Sequence, residues 1–399
     1  MAYPHIHDDE IRVIGHRWSP ETHELKAFLA RSRVNYRWID VERDAEAGEY
    51  TGRSDGRQLP VVVLPDGSRV VKPSVRELAE RIGLDTEPDL PFYDLAIVGG
   101  GPAGLSAAVY AASEGVRTLV VEREVPGGQA GYSARIENYP GFPKGLSGSD
   151  FASRTVAQAE RFGVEILSTR EVKSLSAKGR YREICLDDDT TVAAHAVLLA
   201  TGVAFKWLEA PGCPDLVGRG VYYGAATAEA SDCRDQRLYL LGGGNSAGQA
   251  ALLLAQYAGR VTIVAPEASL DETMSQYLVE RIRELPNVEI CSGHRVVGAE
   301  GHKHLERLVL KRCDTGEERT VQADGLFVFI GATPSTDWLE GVVDRDEQGF
   351  IRSNDRMETS VPGVFVAGDV RAGSVKRIAS AVGEGAMAVQ SIHGYLADR

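Results

Sequence analysis

Twice in this chain an apolar strand runs into a glycine-rich turn and then into an alanine-rich helix. That repeated pattern limits the fold more than any other feature. The first copy reads Y-D-L-A-I-V at 93–98 and then G-G-G-P-A-G-L, so Gly99, Gly101 and Gly104 take a G-x-G-x-x-G spacing. A helix is predicted over 106–113 and a second strand over 117–122, ending in Glu122. The glycines let the backbone approach a pyrophosphate, and the free N–H groups of the helix start face it. The acid at the end of the second strand is placed to hold a ribose hydroxyl. The second copy follows a strand at 237–241 and reads G-G-G-N-S-A-G. Gly242, Gly244 and Ala247 take its fingerprint positions, with Asn245 and Ser246 between them. A helix at 246–257 and a strand at 260–264 complete the unit. One such turn is a weak signal, because glycine also serves packing in ordinary strand-to-helix turns. Two in the same context predict two dinucleotide-binding folds.

The 43 glycines agree with many tight turns and close backbone approaches. Lys plus Arg is 44 and Asp plus Glu is 57, so the net charge is 44 − 57 = −13. A nucleic-acid partner, which needs a basic face, is not expected. No apolar run approaches the ~18 residues of a membrane span, and no secretory apolar segment opens the chain. A cytoplasmic protein with no membrane partner is therefore expected. The five cysteines, Cys185, Cys213, Cys233, Cys291 and Cys313, form no C-x-x-C and lack histidines at zinc spacing. They read as core residues, and no metal is expected.

Residues 1–88 follow a different rhythm. A strand at 11–14 precedes a helix at 22–32 with Leu25, Phe28 and Leu29 on one face, and a second strand spans 35–41. Pro60 precedes a strand at 61–64, Asp66-Gly67 is a turn, and 69–71 pairs back as a hairpin. Ser74 caps a last helix. The order β-α-β-(α)-β-β-α resembles a glutaredoxin or thioredoxin-like domain. That family carries a C-x-x-C between the first strand and first helix. The matching stretch here is Trp18-Ser19-Pro20-Glu21-Thr22, with Ser19 and Thr22 in the cysteine positions. Leu59-Pro60 matches the site of the family's cis-proline. A hydroxyl cannot form a disulfide, so thiol–disulfide exchange is excluded. The resemblance implies a docking or assembly role, with Trp18, Pro20 and Pro60 lining the old substrate groove. Residues 85–92, with Pro88 and Pro91, read as a linker.

From Tyr93 onward the chain is similar to low-molecular-weight thioredoxin reductases. Gly127-Gly128-Gln129 and Ile136-Glu137-Asn138-Tyr139-Pro140-Gly141 stand where that family wraps its flavin and pyrophosphate. Ala200-Thr201-Gly202 closes the first half of the FAD domain, and Ala367-Gly368-Asp369-Val370 matches the strand end whose aspartate contacts the ribitol. Lys376-Arg377-Ile378 falls where the family has residues over the isoalloxazine. Gly383-Glu384-Gly385 begins the last helix, whose positive end would favour negative charge on a reduced flavin. The family inserts its pyridine-nucleotide domain into the FAD domain. This implies an FAD-binding domain of 93–205 and 330–399, and a nucleotide-binding domain of 206–329. The expected fold class is α/β: an N-terminal thioredoxin-like domain, then two Rossmann-like three-layer domains. A homodimer is implied as well.

Two departures from the family matter. Its redox motif C-A-T-C-D falls here on Gly224-Ala225-Ala226-Thr227-Ala228, so Gly224 and Thr227 replace both cysteines and Ala228 replaces the acid. Cys233, nine residues past Gly224, reads as core. NADPH-specific members carry H-R-R where this chain has Ala265-Pro266-Glu267, and a further arginine where it has Asp271. A 2′-phosphate would meet carboxylates there, whereas Glu267 suits a ribose hydroxyl, so NADH is expected ahead of NADPH. The reading is an FAD-dependent oxidoreductase without a redox disulfide, passing electrons to an acceptor or redox protein that the sequence does not identify. Two alternatives stand beside it: an FAD-retaining regulatory or binding protein without turnover, and a reductase of an external disulfide carrier docked on the N-terminal domain.

Overall fold

The strand Phe92–Val98 carries apolar side chains on both faces and is buried along most of its length. That pattern belongs to a parallel strand covered above and below. In the computed structural model, which describes residues 10–51, 58–133, 135–224 and 230–398, it lies inside a seven-stranded sheet. Thr118–Val121 and Glu165–Leu167 continue the sheet on one side and Thr191–Leu199 on the other, all parallel. Tyr181–Leu186 and Val172–Lys178 extend it antiparallel, and Val364–Val366 returns from far along the chain to pair with Thr191–Leu199. Helices Pro102–Ser113, Gly148–Arg161 and Ile378–Ala397 cover one face, over Leu95, Ile97 and Val120. The other face packs Ala96, Val98 and Val121 against Leu339 and Val343.

A ribbon of Val203–Phe205 with Ala332–Pro334 carries the chain into and out of a second unit. There, five parallel strands lie in the order Val221–Tyr223, Gly325–Val328, Arg237–Leu241, Arg260–Ala265, Val288–Ser292. Helices Asn245–Leu254 and Gln276–Arg283 cover one face, and the antiparallel strands His294–Glu300 and Arg307–Arg312 cover the other.

The N-terminal unit has a four-stranded sheet in the order Tyr36–Asp40, Ile11–Gly15, Val61–Val63, Arg69–Val71. The first pair is parallel and the others antiparallel. Its helices Pro20–Arg31 and Val75–Arg81 start where Ser19 and Ser74 accept from the N–H groups of Thr22 and Glu77, at 3.2 and 3.1 Å. The Leu59–Pro60 peptide is cis.

Three expectations change. Residues 85–92 do not act as a linker. Asp85 C=O accepts from Ser168 N–H at 2.9 Å, Asp89 N–H donates to Glu165 at 2.6 Å, and buried Arg170 donates to Thr86 C=O. Val125, from the seven-stranded unit, belongs to the apolar cluster of the N-terminal sheet beside Phe28, Leu29 and Ile82. The N-terminal unit is therefore finished by its neighbour.

The stretch 18–22, which runs into the first helix, is partly covered by a neighbouring unit, with Glu21 left exposed. Trp18 stacks on His304 with ring centres 4.7 Å apart, His23 meets Tyr222 at 5.1 Å, and Pro20 lies against Gly218. Aromatic faces gain more from one another than from water, so Trp18 and His23 are held against the neighbouring unit.

The last helix starts at Ile378, not at Gly383. Gly385 sits inside it because a Cβ there would stand 2.2 Å from the Ala103 carbonyl oxygen, where helix Pro102–Ser113 crosses. Gly383 has nothing within 4 Å of an added Cβ. Gly385→Ala is thus expected to lower stability by about 2–3 kcal/mol through overpacking. Gly383→Ala should raise it by about 1 kcal/mol through helix propensity. Thermal melting of the two full-length variants checks the pair.

Candidate functional site

Some helix starts in this protein are closed by their own side chains, as Ser19, Ser74 and Ser147 show. Others are not, helix Gln276–Arg283 among them, and three of these share one place. Helices Pro102–Ser113, Asn245–Leu254 and Ile378–Ala397 begin after Gly101, Gly244 and Arg377, none of which caps with a side chain. All three ends contribute lining residues to two adjoining cavities, of about 570 and 210 Å³. Uncapped N–H groups and the positive end of a helix dipole make such ends anion-binding.

The larger cavity gathers residues far apart in sequence: Gly99, Gly101, Glu122, Gly128, Gln129, Thr201, Gly202, Asp369, Lys376, Arg377 and Ile378. Gly104 is not on its wall. A Cβ there would stand 1.9 Å from the Gly99 carbonyl oxygen, so this glycine brings helix and strand together. Glu122 is 9% exposed, and its carboxylate accepts from the N–H groups of Gly100 (2.7 Å) and Glu124 (2.8 Å). Burial nevertheless holds its carboxyl above the usual range. Thr201 Oγ1 is buried and has no hydrogen-bond partner among the described residues. A buried hydroxyl in that state is uncommon, which suits a polar ligand. Lys376 Nζ donates to Asp369 C=O at 2.7 Å and to Ser374 Oγ at 3.0 Å.

The smaller cavity lies between the two larger units. Asn138, Gly224, Asn245 and Ser246 line it, and Gln129, Lys376, Arg377 and Ile378 face both cavities. Arg281 bridges the units by donating to Glu137 at 2.8 Å. Gly242, Gly244, Ala247 and Glu267 line neither cavity. Gly242 and Ala247 shape the turn and pack the helix against the sheet. Glu267 leans on Gly243, with Oε2 2.7 Å from where a Cβ would be, and this buried oxygen has no hydrogen-bond partner among the described residues. It is posed as Glu122 is against Gly100, but without a donor. Asp271 accepts from Arg283 at 2.7 Å. Sequence reasoning missed this guanidinium, because it arrives from a separate helix.

Gly224 has φ +77, and a Cβ built there would stand 2.4 Å from two ring carbons of Phe205. Phe205 therefore fills the room a side chain would need. Thr227 and its neighbours 225–229 lie outside the described residues. Cys213 and Cys233 are buried in apolar clusters away from both cavities, and burial pushes the Cys213 thiol up to about 11. None of the five cysteines forms a disulfide. Among the described residues, no group of three or more side chains could hold a metal ion, and no helix is long and apolar enough to cross a membrane.

Several wall residues had no sequence signal. Arg31, from the N-terminal unit, and Tyr132 both face the larger cavity. The exposed Trp207 stands at its edge, against Tyr223 at 4.5 Å.

The family model for pyridine nucleotide-disulphide oxidoreductases matches residues 93–385. A thioredoxin reductase of Bacillus subtilis is 34% identical over 311 residues, spanning 76% of this chain and 95% of that protein. Among solved structures, thioredoxin reductase from Lactococcus lactis superposes with a TM-score of 0.74 at 32% identity, covering 77% of this chain and all of its own. That from T. acidophilum gives 0.73 at 33% identity, covering 76% and 99%.

Two outcomes test the site's energetics. Burial holds the Asp369 carboxyl above its usual range, with Lys376 opposing the shift. Its ionised form therefore costs stability, a cost that grows as pH rises through the folded-state pKa and vanishes below the unfolded one. Asp369→Asn is expected to raise the melting temperature of cofactor-free protein at neutral pH, and the gain should shrink as pH falls. Gly224→Ala should cost about 2 kcal/mol or more. In a double-mutant cycle with Phe205→Ala, the combined loss should fall short of the sum by about 1 kcal/mol.

Proposed function

The chain belongs to the pyridine nucleotide-disulphide oxidoreductase family and has the thioredoxin reductase fold, and on that premise we propose that it is a flavoprotein that takes electrons from a pyridine nucleotide without using a disulfide of its own. The observation that supports this best is the meeting of three uncapped helix starts at adjoining cavities. Bound anionic groups would satisfy the N–H groups left open at these three ends.

FAD fits the larger cavity. Gly99, Gly101 and the helix start at Pro102 would take the pyrophosphate, and Glu122 the adenosine ribose. Gly128, Gln129, Thr201 and Gly202 would line the cofactor's length, with the unpartnered Thr201 hydroxyl offering a polar contact. Asp369 would meet the ribityl chain, and Lys376, Arg377 and Ile378 the ring system where the two cavities join. When bound, the flavin supplies a hydride acceptor that releases electrons to a second substrate. The protein supplies the field: the helix start at Ile378 and the Lys376 ammonium both favour negative charge at that junction.

The N–H groups at Asn245 and Ser246 would take the pyrophosphate of the nucleotide, with Asn138 on the facing wall. The orphaned Glu267 oxygen is an acceptor waiting for a hydroxyl, which the adenosine ribose of NADH offers. A 2′-phosphate would meet Glu267 and Asp271, and Arg283 is already engaged by Asp271. NADH is therefore the proposed donor, ahead of NADPH.

Gly224 under the Phe205 ring supports the reading without a disulfide, since this position has no room for a thiol. The strand order supports a glutaredoxin-like ancestry for residues 1–88. Trp18 and Pro20, engaged by His304 and Gly218, are less available there to an external carrier. A homodimer is proposed from the family likeness, with exposed Tyr110 and Met387 on two neighbouring helices as its apolar contacts. The acceptor is a separate molecule.

Anaerobic titration tests this reading. The purified protein should carry FAD, and NADH should bleach it at lower concentration than NADPH. Glu267→Arg should move the preference towards NADPH roughly ten- to a hundredfold, the worth of one charge-assisted hydrogen bond. A folded protein that takes up no FAD, or tighter and faster reduction by NADPH in the wild type, overturns it.

A further inference from the structure

Arg31 ends the first helix of the N-terminal unit, yet it lines the cavity proposed for FAD. Its side chain is only 12% exposed. It is held on several sides. Nη1 donates to the Tyr132 hydroxyl at 2.7 Å and to Glu124, Nη2 donates to Val125 C=O at 3.3 Å, and the plane lies over the Tyr132 ring at 4.2 Å. These partners belong to the seven-stranded unit, so the contact crosses between units. A planar cation fixed in this way is preorganised and loses little freedom when a ligand arrives.

Its place along the cavity is also defined. Lys376, Arg377 and Ile378 mark the end shared with the smaller cavity, whereas Arg31 lines the larger cavity alone. It is bonded to Glu124, two residues past Glu122 at the end of strand Thr118–Val121. In a dinucleotide fold that strand end holds the nucleoside ribose. Arg31 therefore sits at the nucleoside end.

We propose that Arg31 binds the adenosine half of the FAD, by stacking or hydrogen bonding of its guanidinium, so that the N-terminal unit is part of the cofactor site. This rests on the FAD reading above and adds a residue from outside the dinucleotide fold itself. A flat guanidinium suits both an adenine face and a phosphate or ribose oxygen, which an ammonium cannot match in geometry.

The test separates the two halves of the cofactor. Full-length wild type, Arg31→Met and Arg31→Lys are stripped of FAD, checked by melting, and titrated with FAD by flavin fluorescence. ADP and FMN are then used as competitors. Arg31→Met should weaken FAD and ADP about tenfold while the FMN constant moves less than twofold, and Arg31→Lys should fall between. Parallel losses for ADP and FMN would mean that Arg31 only supports the fold. Unchanged ADP and FAD constants would mean that it does not touch the cofactor. Either result overturns the proposal. Failure of the wild type itself to bind FAD would count against the flavoprotein reading instead. If Arg31→Met does not fold, the ADP-to-FMN ratio of Arg31→Lys decides.

Discussion

The Gly99 carbonyl oxygen occupies the space that any side chain at position 104 would need, and the Ala200 carbonyl does the same to position 99. Backbone therefore packs on backbone at the point where the first strand, the first helix and the end of Thr191–Leu199 meet. Because these segments come so close, the helix begins directly over the carboxyl ends of the parallel strands, and a crevice opens beside it. Gly385 adds the last helix to the same point by lying on the Ala103 carbonyl. The cavity walls are then set by geometry. Polar groups such as Asp369, Glu122 and the Thr201 hydroxyl are held there at a cost the fold alone would not select.

The legible part of this arrangement was the part with a local cause. A glycine that must clear a carbonyl five residues away leaves its mark within a single turn, so the first fingerprint could be read directly and the second by its likeness to it. Gly385 looked like a helix start because its reason, Ala103, comes from another helix. Residues 85–92 carried two prolines and looked loose. Their hydrogen bonds go to Ser168, Glu165 and Arg170, which no local pattern announces. Arg31 was hidden most completely. A basic residue in the last turn of an amphipathic helix already has an ordinary explanation in the helix dipole. Phe205 likewise takes on meaning only beside Gly224.

The N-terminal unit is joined to the rest by contacts of unequal weight. Arg33–Asp150 at 2.8 Å has both side chains well exposed, and such a pair contributes little. The enclosed contacts matter more: Val125 within the N-terminal apolar cluster, Arg31 against Tyr132, and Pro20 against Gly218. Through them one small unit touches both larger ones. The stretch Trp18 to Thr22 meets the neighbouring unit through Trp18 and Pro20, while Glu21 stays exposed.

The wall of the larger cavity runs in sequence from Arg31 to Ala381. Synthesis proceeds in that same direction, and N-terminal units ordinarily fold first. Here the earliest segment waits for Val125 to finish its core, the seven-stranded sheet waits for Val364–Val366, and the cavity waits for the helix that starts at Ile378. No partial chain contains a complete site. Cofactor loading therefore waits until the helix that starts at Ile378 has been made, and a chain cut before it is left with an open crevice.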